Sequence, residues 1–129
     1  MDLGERFARA LAAKDVVGLR SVLAPDVDFR AMTPKRFWES SSAEEVVSSV
    51  LLGTWFKPSD RIEALVSVSG ESVADRERVT YRLRVGNDDG PHLVEQVAYY
   101  AADGDRITWL RVMCAGYRPV PVADGRVTA

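Results

Sequence analysis

The sequence predicts an α+β domain: about three N-terminal helices packed on one face of a strongly curved antiparallel sheet. Three observations carry this. Apolar residues recur at helical spacing only within roughly the first fifty positions. From Ile62 onward they alternate with the period-two pattern of half-buried strands. The stretch His92 to Pro119 then reads as two long strands joined at Asp103-Gly104-Asp105, a strong hairpin signal.

Leu3, Phe7, Ala10 and Leu11 share one face of a helix running to about Ala13. Asp15 reads as the N-cap of a second helix with Val16, Leu19, Val22 and Leu23 inward, and Pro25 stops it. Val27-Asp28-Phe29-Arg30-Ala31 alternates as a short strand, with Val27, Phe29 and Ala31 on one side and the two aspartates outward. Thr33 to Glu39 is irregular and aromatic. Ser42 with Glu45 forms a capping box for a helix from about Ala43 to Leu52. Ile62, Ala64, Val66 and Val68 alternate along one strand. Val79, Tyr81, Leu83 and Val85 alternate along the next, against Arg78, Thr80, Arg82 and Arg84. Gly86 to Pro91 is a turn by composition. Residues 1–119 form one domain, and 120–129 read as a loose polar tail.

Composition narrows the function classes. A net charge of −2 supplies no general attraction to nucleic acid or anionic membrane. The Arg78, Arg82 and Arg84 stripe lacks interleaved aromatics and has Glu63, Glu71 and Glu77 as ion-pair partners. No apolar run approaches the ~20 residues of a membrane span, and the N-terminus lacks a signal-peptide pattern. One cysteine and one histidine offer neither an internal disulfide nor a structural zinc set. The expectation is a cytoplasmic domain with no cofactor and no metal. Phosphate-loop, HExxH, CxxC and GxSxG patterns are absent.

The order of elements, with Leu23-Ala24-Pro25-Asp26-Val27-Asp28-Phe29 after two helices and Asp103-Gly104-Asp105-Arg106-Ile107 near the end, resembles the NTF2-like superfamily. That group includes SnoaL-like polyketide cyclases and ketosteroid isomerases. The resemblance implies a cone whose concave side, closed by the helices, encloses a pocket, with chemistry that is often cofactor-free and dimers that often form through the convex face. Matched to the isomerase pattern, His92, Val94, Gln96, Ala98, Tyr100, Thr108, Leu110, Val112 and Cys114 would face the pocket. Leu93, Glu95, Val97, Tyr99, Ile107, Trp109, Arg111 and Met113 would face outward, with Val97, Tyr99, Trp109 and Met113 forming a homodimer surface. The same match places Ala31 where the isomerase has its carboxylate base, Phe7 where it has its oxyanion-hole tyrosine, and Gln96 where it has its protonated aspartate. Steroid isomerisation therefore has no obvious base here.

Gln96 sits among apolar neighbours, so it either meets a ligand or ties helices to sheet. Tyr100 joins a large apolar ring to a polar tip, and Tyr81 offers the same chemistry one strand away. His92 is the one side chain that titrates near neutrality unaided, at a strand start that makes it a rim or an exposed turn residue. Glu39 is the carboxylate beside the aromatic cluster of Phe37, Trp38, Trp55 and Phe56, which either wall a pocket mouth or seal the helix layer. Cys114 reads first as a small hydrophobe and second as a nucleophile.

Two classes of function stay open. In the first, a cofactor-independent isomerase, cyclase or dehydratase acts on a small hydrophobic molecule. Gln96 and Tyr100 orient it, His92 or Glu39 moves a proton, and Tyr81, Trp38, Trp55, Leu110, Val112 and Cys114 contact it. In the second, the domain binds a small molecule without turnover, or serves as a dimerisation module.

Overall fold

The computed structural model describes residues 2–123, 126 and 127, with side chains for residues 2–121. Helix α1 (Leu3–Ala12) starts where the Asp2 carboxylate accepts from the Glu5 N–H, and it buries Phe7, Ala8 and Leu11. Helix α2 (Val16–Val22) is capped the same way by Asp15 onto Gly18 N–H. It buries Leu19 and Val22, but Val16 is 45% exposed because it occupies the first turn, outside the inward stripe.

Strand β1 (Leu23–Thr33) is longer than the sequence suggests. It begins before Pro25, and an irregularity between Leu23 and Asp28 absorbs the proline without a continuous ladder. The segment read as irregular is a hairpin: Lys35, at φ 71°, turns the chain into β2 (Arg36–Ser40). The Ser42 cap then starts α3 (Ala43–Glu45), which continues without a break as a π-helical turn series, Val46–Trp55. Phe56 N–H bonds Leu51 O and the Thr54 hydroxyl bonds Ser49 O, both five residues back.

Four long antiparallel strands follow: β3 (Arg61–Val73), β4 (Arg76–Asn87), β5 (Gly90–Asp103) and β6 (Arg106–Cys114). A short β7 (Arg118–Pro119) pairs with β5, and β8 (Val122–Ala123) pairs with β9 (Arg126–Val127). The main sheet runs β2-β1-β6-β5-β4-β3 and is antiparallel except where β1 lies parallel to β6. It is an open mixed sheet with the helices on its concave face, and α1 packs on β3 and β4.

β4 and β5 pair without a register shift, so burial alternates along them as predicted. β3 does not alternate. Two irregularities, at Ile62/Ala64 and Leu65/Ser67, turn Leu65 inward and leave Val66 exposed. A third, at Ala101/Ala102, reverses the start of β6: Ile107 is buried and Thr108 is not, the opposite of the expected facing. Beyond that bulge Leu110 and Val112 face the core as expected.

The arginine stripe is paired at the surface. Arg78 meets Glu71, Arg84 meets Glu63 at 3.8 Å, and Arg82 takes Glu95 at 2.6 Å, a cross-strand partner, in place of Glu77. Within the segment read as a tail, Val120 is buried and donates its N–H to Pro91 O. Pro121 is exposed, and residues 122–129 lie outside those whose side chains are described. Among the described residues no helix is long and apolar enough to cross a membrane.

Candidate active site

Three strand or helix ends and one bend meet at one end of the cone. Thr33 and Pro34 come from the end of β1, Thr54, Trp55 and Phe56 from the end of the π-helical segment, Gln96 from mid-β5 and Cys114 from the end of β6. Gly116 and Tyr117 cross behind them. Gly116 has φ 88°, and a Cβ there would lie 2.9 Å from Pro34 Cγ, so glycine is what lets the chain fold across and present Tyr117. These residues enclose a cavity of about 170 Å³. Apolar cavities of about 150 Å³ accept a molecule of benzene's size. Larger concavities exist. One of about 420 Å³ is lined by Arg20, Leu23, Glu44 and Arg106, and Arg106 is already committed to the Arg20 and Leu23 carbonyls.

Two residues that line the cavity each bury a donor with no hydrogen-bond partner among the described residues: Gln96 Nε2 and Trp55 Nε1. Gln96 is 1% exposed. Its orientation is set from behind, because the Tyr81 hydroxyl donates to Gln96 Oε1 at 2.6 Å. Burial, and then the neighbouring Cys114, push the Tyr81 phenol far above its ordinary range, so it stays protonated and stays a donor. Trp55 is wedged against Phe29 at 6.1 Å and edge-to-face against Trp38 at 5.9 Å. Buried N–H groups rarely go unpaired, and two on one cavity mark a place for an acceptor oxygen.

Behind the bend lies a carboxylate that sequence reasoning missed. Asp60, 4% exposed, accepts from Asn87 Nδ2 at 2.9 Å and from the Tyr117 hydroxyl at 3.1 Å. That hydroxyl also lies 2.5 Å from Trp55 O. Lys14 clamps the loop by donating to Lys57 O at 2.8 Å and Asp60 O at 2.5 Å. Burial raises the Tyr117 phenol well above its usual range, with the Asp60 charge and hydrogen bond adding to it. Tyr117 thus keeps its proton at the cavity wall with a carboxylate behind it. The Asp60 partners sit 27 and 57 positions away, so no local pattern could have flagged it.

Of the residues singled out from sequence, the cavity gathers Gln96, Trp55, Phe56 and Cys114. Cys114 is half-buried, and its Sγ accepts from Gly116 N–H at 3.4 Å. Tyr81 stands behind Gln96, and Trp38 stands behind Trp55 with its Nε1 donating to Thr33 Oγ1 at 2.8 Å. Leu110 and Val112 belong to the core. Tyr100 is four residues from Gln96, about 13 Å along the strand. Its hydroxyl accepts from Gly4 N–H at 2.9 Å, an approach that a side chain at Gly4 would block, so it docks α1. His92 is not a rim residue: it is buried under β7, edge-to-face on Tyr117 at 5.7 Å, with Nδ1 unpartnered among the described residues. Glu39 is exposed on the outer side of β2 beside Phe37 and does not line the cavity. Among the described residues no three His, Cys, Asp or Glu side chains converge on a metal-sized site.

No protein-family profile matches the sequence, and no curated protein matches it. Solved structures do. A proposed isomerase from Rhodopseudomonas palustris superposes with a TM-score of 0.65 at 18% identity, over 88% of this chain and 90% of that one. An NTF2-like protein of unknown function from Cytophaga hutchinsonii matches at 0.52 and 13%, over 87% and 86%. The fold is NTF2-like. A proposed polyketide cyclase from Pseudomonas putida shares it at 0.62 and 12%, over 87% and 90%. At these identities the likeness is one of fold, and the NTF2-like cone places its helices, sheet and end cavity as the residue patterns require.

Proposed function

We propose that this NTF2-like chain is a cofactor-independent enzyme of the isomerase, cyclase or dehydratase type, acting on a small, mostly apolar molecule with a carbonyl or hydroxyl oxygen. The observation that carries the reading is a pair of buried, unpartnered donors, Gln96 Nε2 and Trp55 Nε1, in two residues that line one small cavity. Such donors stabilise charge developing on oxygen, and each is worth roughly 10²–10³ in rate in a dry site. Tyr117, held by Trp55 O and Asp60 behind it, keeps its proton and shapes the wall. The proposed isomerase and polyketide cyclase that share the fold are consistent with chemistry of this kind.

Native mass spectrometry with a panel of small cyclic ketones and alcohols tests the reading. Binding should weaken at least tenfold in Gln96→Leu, and a bound compound should be recovered rearranged or dehydrated after incubation. Failure to bind any of the panel would overturn it. A second reading, binding without turnover, is favoured by one observation: no carboxylate lines the cavity, and Ala31 stands where a base would be expected. Recovery of every bound compound unchanged would select that reading.

The proposal extends to a homodimer through Val97, Tyr99, Trp109 and Met113. Register aligns Phe37, Met32, Met113 and Val97 in one row across β2, β1, β6 and β5. Phe37 is 76% and Met113 54% exposed, so the row is an apolar stripe on the outer face. Two guanidiniums, of Arg76 and Arg111, cover Trp109 at 4.4 and 4.3 Å and frame the stripe. Met113→Glu should convert a dimer to a monomer in analytical ultracentrifugation, and a sedimentation coefficient unchanged from a dimeric parent would remove this face from the interface.

A further inference from the structure

We infer that Cys114 is a covalent capture site for α,β-unsaturated carbonyl compounds, which makes a conjugated carbonyl the ligand class of the cavity. The inference rests on the oxygen-binding reading above and adds a bond to it. Cys114 and Gln96 are direct cross-strand partners, which puts their Cβ atoms about 5 Å apart on the inner side of the sheet. Both line the same small cavity, together with Trp55. One partner thus brings a sulfur, and the other brings an amide N–H that the Tyr81 bond leaves free for a ligand. The sulfur accepts a backbone N–H from Gly116 at 3.4 Å, which fixes its place at the cavity.

An enone is the electrophile that uses both groups at once. With its carbonyl oxygen taken by Gln96 Nε2 and Trp55 Nε1, an enone would have its β-carbon one conjugated unit away, for the thiol of the cross-strand partner Cys114 to meet. The Cys114 thiol gives its proton to water, and the sulfur lone pair forms the C–S bond at the β-carbon. The C=C π pair moves toward the α-carbon and the carbonyl pair moves onto oxygen, giving an enolate held by the two N–H groups. Protonation of the α-carbon completes a saturated thioether ketone. Nothing leaves and no oxidant is consumed. A simple alkylating agent uses the sulfur alone and gains nothing from the two donors, which separates this arrangement from an accessible thiol.

The test is intact-mass labelling of the whole protein with 2-cyclohexen-1-one, with iodoacetamide as the reagent that needs no oxyanion donor. One enone adduct should form and should be absent in Cys114→Ser, and its rate should saturate with enone concentration because a complex precedes the bond. Gln96→Leu should slow the enone at least tenfold while changing the iodoacetamide rate less than about twofold. Equal slowing of both reagents, a rate linear in enone concentration, or labelling by iodoacetamide without enone adduct would each overturn the assignment. So would a thiol inert to both. The concentration dependence is read on the unmodified protein, so it decides even if Gln96→Leu does not fold. Saturated cyclohexanone separates the two readings: if it binds in native mass spectrometry but the enone does not react, the covalent site fails and the oxygen-binding reading survives. If cyclohexanone does not bind either, both fail.

Discussion

Replacing Phe7 with alanine should cost about 3–5 kcal/mol, read as a lowered denaturant midpoint with an unchanged slope. Domains of this kind are stable by roughly 5–15 kcal/mol, so one substitution would remove a large share of the margin. The size follows from position. Phe7 is fully buried on the inward stripe of α1 and meets Tyr81 edge-to-face at 6.3 Å. Its neighbours belong to a helix and a strand whose backbones are fixed by their own hydrogen bonds, so the space it leaves cannot collapse and the cavity penalty adds to lost burial. A second effect should accompany the first. Tyr81 orients Gln96, and a slack Tyr81 ring would loosen the amide that faces the end cavity. A loss below about 1 kcal/mol would mean that α1 is not docked on the sheet as described.

The second large effect belongs to Asp60. Asp60→Ala removes the acceptor of Asn87 Nδ2 and of the Tyr117 hydroxyl inside a buried pocket, and hydrogen bonds to charged groups are worth about 1.5–3 kcal/mol each. A total near 3 kcal/mol is expected once relaxation is allowed for. Lys14 bonds backbone carbonyls there, so its clamp on the loop survives. A cycle with Tyr117→Phe isolates the shared bond. The pair should show a coupling of about 0.5–3 kcal/mol, smaller in the double variant than the sum of singles. Strict additivity would show that Asp60 and Tyr117 do not act as a unit behind the cavity wall.

How far the sequence alone reached depended on whether a local rule operated. The facing of Val79, Tyr81, Leu83 and Val85, and of His92 through Tyr100, was legible because β4 and β5 pair without a shift and strand parity then holds along their length. Parity failed at Leu65 and Ile107, where an extra residue changes the facing on one side of it and no residue type announces the bulge. Asp15 as a cap, and Ser42 with Glu45, act over three residues and could be read directly. The Pro34-Lys35 turn was missed, since a positive φ at lysine has no sequence signature. Of the cavity, Gln96, Trp55 and Cys114 were visible as unusual residues in apolar surroundings. Asp60 and Tyr117 were not, because each looks like ordinary loop polarity until the fold brings them within 3.1 Å.

The parallel pairing of β1 with β6 fixes the order in which this chain can assemble. Each antiparallel neighbour in β3 through β6 follows its partner directly, so that meander can zip up locally as it is made. β1 cannot join it. Its Asp28 meets Arg111, 83 positions away, so the loop-closure entropy must be met before any contact between them repays it. During synthesis at about 5–20 residues per second, Val27, Phe29 and Ala31 therefore wait several seconds for the strand that will cover them. Once β6 is made its edge stays unpaired until β1 docks, and that same closure brings Thr33 and Pro34 to the wall of the cavity.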